Sequence, residues 1–240
     1  MTKRVSIFPH NEKKQKKKKK ETKEGLDLKH FEHDDKQIVI VNNIQPPPLQ
    51  QEPELRTINL YGDISEKKGA DVVAALLYLE SSSHALGYED PKDPESPQVV
   101  IARSIALMIS THGGTASDMF SILDVMDMVK EKTCDIETIG IGKVMSAGVP
   151  ILAAGTKGKR KVGRNCRIML HNVMAGSHGT IFSMENELEE IKWVQERYIE
   201  TLASYTKLTP SKIKKLLKAQ RDVYISAEEA IKMGIADEII

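Results

Sequence analysis

The sequence predicts an α/β domain built from repeated strand-turn-helix units, with one protruding long helix. Three observations lead there. Strand-like apolar runs end at Gly62-Asp63, Gly113-Gly114 and Gly142. Apolar residues at helical spacing follow them. Met184, Leu188, Ile191, Val194, Tyr198, Leu202 and Tyr205 then mark one face of a single helix over 183–205.

Taken in order, residues 56–61 alternate as a strand, and residues 72–79 read as an apolar helix. Residues 81–98 are polar and hold Pro91, Pro94 and Pro97, which predicts a surface loop before a buried strand near 105–109. Met119, Ile122, Leu123, Met126 and Val129 place a core-facing helix after Gly113-Gly114. A short strand over 136–141 is expected to pass through a glycine turn into a small-residue helix that Ser146 begins and that ends near Gly155. Residues 167–170 form a strand ending at His171. Thr209-Pro210 opens a lysine-rich helix, and Ser226 with Glu229 makes a capping box for the last one. Gly234 stops it, and residues 235–240 are expected to close the chain as a strand.

Composition sets the class. At 240 residues and 40% hydrophobic, the chain buries one ordinary core. Residues 51–240 are assigned to it, and residues 1–50 to a lysine-rich disordered tail with a stiff linker at Pro46-Pro47-Pro48. The net charge of +1 hides an asymmetry: residues 13–23 hold eight lysines and one glutamate, and the remainder is net acidic. A general nucleic-acid binder is therefore excluded, and only the tail is suited to a phosphate-directed contact. His30 and His33 in that tail have no helix to hold them as metal ligands. No apolar run reaches the roughly 18 residues of a membrane span, and the first residues lack a signal-peptide core, so a cytoplasmic location is expected. Cys134 and Cys166 have no metal-ligand spacing and read as reduced, buried thiols. No cofactor or metal is expected.

Three strand-end or loop residues have the chemistry of nucleophilic catalysis. A serine hydroxyl needs a base to take its proton, and the base needs a third group to hold its tautomer. Ser146 follows a glycine turn, His171 ends a strand, and Asp222 sits in the polar break Gln220-Arg221-Asp222. Gly113-Gly114 supplies backbone N–H groups at another helix start. Singly, each fits a plainer role: a helix cap, a strand-end histidine, a loop aspartate, a turn.

Four ordered segments then bear a resemblance. Ser110-Thr111-His112-Gly113-Gly114, Gly142 to Ser146 with Ala154-Gly155-Thr156-Lys157-Gly158-Lys159-Arg160, Arg167-Ile168-Met169-Leu170-His171, and Arg221-Asp222 with Ser226-Ala227-Glu228-Glu229-Ala230 and Gly234-Ile235-Ala236-Asp237 are similar to motifs of the Clp protease proteolytic subunit, ClpP. The resemblance implies a ClpP/crotonase-like fold and an ATP-dependent serine endopeptidase. Ser146 would be nucleophile, His171 general base and Asp222 orienter, with Gly114 and Ala147 N–H groups as the oxyanion hole. It further implies unfolded polypeptide substrates, a homo-oligomer of stacked rings joined through the 183–205 helix, and an AAA+ unfoldase partner. Gly176 and Gly179 would let the preceding segment leave the domain as an extended arm.

Departures from the family pattern are Val144-Met145 before the serine, His112 in place of proline, Asn172-Val173 after the base, and the long 81–98 loop. A non-catalytic ClpP-like subunit would lack a triad residue, and none is missing. A viral head-maturation protease of the same fold remains an alternative. A crotonase-type acyl-CoA enzyme, and a Ser/Lys peptidase using Lys157 or Lys159, are more distant ones.

Overall fold

The computed structural model describes residues 55–90, 92–93, 95–132, 134–218 and 222–240. The expectations for the lysine tract, the paired histidines and the triple proline lie outside them. The chain starts on strand β1 (Thr57–Tyr61), rises through helix α1 (Glu66–Ser81), and returns as β4 (Ile105–Thr111) parallel to β1. Helix α2 (Ala116–Glu131) then leads to β5 (Ile136–Met145), parallel to β4. These are two successive strand-helix-strand units, each feeding the neighbouring strand. On β4 the residues Ile105, Leu107 and Ile109 are fully buried while Ala106, Met108 and Ser110 are half-buried, as a strand covered on both faces requires. Against it pack the predicted apolar set of α2, all five buried, and Val72, Leu76 and Leu79 of α1.

The remainder is helix α3 (Gly148–Ala153), β6 (Arg160–Val162), β7 (Arg167–Leu170), α4 (Ile181–Tyr205), α5 (Pro210–Leu217), β8 (Val223–Ile225), α6 (Ala227–Met233) and β9 (Glu238–Ile239). Among the described residues the main sheet has seven strands, β1-β4-β5-β6-β9, with β7 and β8 branching from β5, and its pairings are parallel except β7 with β8. The capping predictions hold in detail: Thr209 caps α5 with Pro210 in its first turn, and Ser226 and Glu229 exchange both capping-box bonds. Cys134 and Cys166 are free and buried, and burial pushes the Cys166 thiol up to about 11. Among the described residues no helix is long and apolar enough to cross a membrane.

Two expectations need correction here. The 81–98 segment is not a plain loop: His84–Tyr88 (β2) and Gln98–Ala102 (β3) pair as an antiparallel hairpin separate from the main sheet. Pro97 lies just before the second strand begins, leaving the β-branched run Val99-Val100-Ile101 free to pair. The short strands β6 and β8 went unrecognised because three residues are too few to show a period.

The strand expected to stop at Ile141 continues to Met145, and this extension sets the site. At Gly142, φ is +66°, and two extra residues enter β5: Ile109 pairs Gly140, but Thr111 pairs Val144. Below this bulge β5 pairs β6 through Thr138–Gly140; above it β5 pairs β7 through Lys143–Met145. The strand changes partner where it bulges, so its end meets the end of β7.

Candidate active site

Ser146 leaves the end of β5 with φ +52°, the only non-glycine residue with positive φ among those described. Such backbone costs on the order of 1–3 kcal/mol and persists only where its surroundings impose it. Here they do. The Ser146 N–H donates to Met169 O at 2.8 Å, and its carbonyl accepts from Val149 N–H at 3.0 Å. Ser146 therefore stands in a strained strand-to-helix turn rather than inside the helix, which begins at Gly148.

His171 follows β7 directly, and the partner change in β5 brings it to the serine: Nε2 lies 2.7 Å from Ser146 Oγ. Asp222 stands one residue before β8. The antiparallel register that pairs Leu170 with Val223, continued by one residue, sets it opposite His171. Its side chain is exposed, and among the described residues it makes no hydrogen bond to the imidazole. The structure thus joins the serine to the histidine, while among the described residues the aspartate opposite His171 makes no hydrogen bond to either. Asn172 Nδ2 donates to Leu217 O at 2.9 Å, tying the residue after His171 to the end of α5.

The loop after β4 closes the other side. The Gly113 N–H donates to Thr111 Oγ1 at 2.9 Å, and a Cβ on Gly113 would lie 2.6 Å from Ser146 Cβ, so only glycine allows this approach. Gly114, at φ +153°, has no room either: an added Cβ would stand 2.1 Å from Ile64 O. Ile64 holds the loop by donating to Gly113 O and accepting from Thr115 N–H. Among the described residues neither the Gly114 nor the Ala147 N–H is given to a protein acceptor. Both residues, with Ser146 and His171, line one cleft of about 380 Å³, whose other walls include Met119, Met169, Val173, Met174 and Tyr198. His112 lines the cleft too and is exposed.

Two contributors escaped sequence reasoning. Tyr198 hydroxyl donates to Ser146 O at 3.3 Å, and Gln195 Oε1 accepts from Val173 N–H at 2.7 Å, both reaching in from α4. The one available signal was a hydroxyl-bearing ring within an otherwise aliphatic stretch of the helix stripe, since a buried phenol usually finds a partner. Burial pushes the Tyr198 phenol far above its ordinary range, so it stays a neutral donor. A family model described as Clp protease matches residues 98–240, more than half of the chain and all of the cleft-lining residues named above. The α/β architecture, with its parallel sheet and helices, is that of the ClpP/crotonase-like fold, and the chain belongs to the Clp protease family, a family of serine peptidases.

Proposed function

We propose that the protein is a serine endopeptidase that cleaves unfolded polypeptide through an acyl-enzyme. The reading rests above all on the 2.7 Å contact between His171 Nε2 and Ser146 Oγ, at a serine held in a strained turn. Ser146 Oγ attacks the scissile carbonyl while His171 takes its proton. The N–H groups of Gly114 and Ala147 hold the charge that develops on the carbonyl oxygen. His171 then returns the proton to the leaving amine, and water repeats the sequence to release the acyl group. Asp222 serves as orienter by turning its carboxylate onto the imidazole, a rotation that its place opposite His171 allows. A fluorophosphonate probe is expected to modify Ser146 alone, and Ser146→Ala to abolish both labelling and peptide cleavage with an unchanged circular dichroism spectrum. An adduct mapped to another residue, or turnover surviving in the variant, rules the mechanism out.

The site belongs, in this reading, to a chamber of stacked rings in the cytoplasm, fed by an ATP-driven unfoldase of the AAA+ type. Supporting this is α4: its C-terminal half buries Tyr198, Ile199 and Leu202, while Ile181, Phe182, Leu188 and Trp193 nearer its start are at least half exposed. So long an apolar surface on a helix that is core at one end suits contact with another copy. Light scattering is expected to give a mass many times that of one chain, and Leu188→Glu with Trp193→Glu to reduce it. A monomer that cleaves peptides at the full rate would defeat the chamber. Tyr198→Glu, attractive from the helix stripe alone, is unsuited to this test because Tyr198 faces the nucleophile.

A further inference from the structure

The Ser146 carbonyl and the Ala147 N–H are opposite ends of one peptide group. That group is planar and rigid, so whatever fixes its carbonyl also aims its N–H. The carbonyl accepts two hydrogen bonds, one from Val149 N–H at 3.0 Å and one from the Tyr198 hydroxyl at 3.3 Å. The first comes from within the same turn. The second comes from α4, 52 residues further along the chain, and is the anchor that ties this peptide to a separate element. Hydrogen bonds accepted at a carbonyl also polarise the amide and strengthen donation from its N–H.

We infer that Tyr198 is a positioning residue for the oxyanion site: its hydroxyl fixes the plane of the Ser146–Ala147 peptide from the carbonyl side, so that the Ala147 N–H points into the cleft. Three observations converge on this. Tyr198 is 5% exposed yet lines the same cleft as Ser146 and His171, so its ring is packed and its hydroxyl has little freedom to turn elsewhere. Its hydroxyl has no other protein partner among the described residues. Ser146 carries the strained φ of +52°, so its peptide needs outside support to keep one orientation. For packing alone a phenylalanine would serve as well; the hydroxyl adds a bond to the carbonyl of one of the two peptides whose N–H groups face the reacting oxygen.

This inference rests on the peptidase reading, and the experiment separates the two. Tyr198→Phe is compared with the native chain in peptide hydrolysis and in inhibition by a peptide boronic acid, whose adduct on Ser146 is a tetrahedral, anionic boronate with an oxygen in the oxyanion position. An oxyanion donor acts in the transition state and not in the ground state. The expected result is a fall of about 2- to 10-fold in kcat, the loss of one ordinary hydrogen bond, with KM unchanged. Boronate affinity should weaken by a similar factor. Tyr198→Met, which also lacks the hydroxyl, should show the same split and covers the case of a Phe variant that folds poorly. Unchanged kcat and boronate affinity in the folded variants overturn the positioning role while leaving the peptidase reading intact. A native chain that neither cleaves peptide nor binds the boronate overturns both.

Discussion

Arg160→Met is expected to destabilise the fold by about 3–5 kcal/mol, measured by urea unfolding at neutral pH and matched protein concentration. Arg160 is 4% exposed and its guanidinium is fully engaged. Nε and Nη2 form a fork on the Asp237 carboxylate at 2.8 and 2.5 Å, while Nη1 donates to the carbonyls of Ala153, Tyr205 and Gly234. One side chain thereby ties together the ends of α3, α4 and α6. Asp237 returns the favour by accepting from the N–H groups of Gly158 and Arg160. Removing the cation leaves a half-buried carboxylate without its partner and three carbonyls short of a donor. Lys159→Met is the control: its bond to Asp135 lies between two side chains nearly half exposed, and its loss should cost less than about 1 kcal/mol.

The same pair sets an acid dependence. The Arg160 guanidinium, aided by the two backbone N–H groups, holds the Asp237 carboxyl below the usual carboxylate range. A carboxylate whose pKa is lower folded than unfolded contributes stability that is complete above the unfolded value of about 4. That contribution is lost as pH falls through the folded value. In Arg160→Met this part of the acid slope should flatten.

Gly114→Ala is expected to lower kcat by about 10²- to 10³-fold with little change in KM. The added Cβ would meet the Ile64 carbonyl at 2.1 Å, and that carbonyl is backbone held by Thr115, so the loop must move instead. In the proposed mechanism that movement swings the Gly114 N–H away from the reacting oxygen. Gly62→Ala isolates the cost of left-handed backbone, because Gly62 also has positive φ, at +80°, but a Cβ there meets nothing within 4 Å. It should keep activity within about twofold while losing on the order of 1 kcal/mol. Equal activity losses in the two variants would show that strain, and not the placement of the N–H, is what Gly114 relieves.

Much of this architecture was readable in the residues. Helical spacing over Met119–Val129, the alternation in β1, and the capping pairs Thr209-Pro210 and Ser226/Glu229 are local signals, and each appears where it was read. Ser146 was legible as the residue after a glycine turn, though as a helix start, and His171 as a strand end, and they do meet. What local patterns could not carry were the features that arise between strands. The two-residue offset at Gly142 lies where β5 exchanges β6 for β7, a coincidence between strands that residues 141–145 alone do not announce. The hairpin was hidden by prolines whose turn chemistry outweighed a five-residue strand. The exposed start of α4 was legible as apolar but not as uncovered, since periodicity is blind to whether a second surface is present.

The hairpin has one more consequence. Its two strands leave and rejoin the body at a single cinched neck: Arg103 N–H donates to Ser83 O at 2.7 Å, Arg103 Nη2 reaches Ser82 O at 2.6 Å, and Arg56 grips Ser82 Oγ from β1's side. Among the described residues of 84–102 none is buried, and the neck itself already spans the distance the body must bridge. The segment behaves as a cassette. It is a point where the chain tolerates lengthening, shortening or wholesale replacement, so that a new surface can be grafted on while the machinery around Ser146 registers no change.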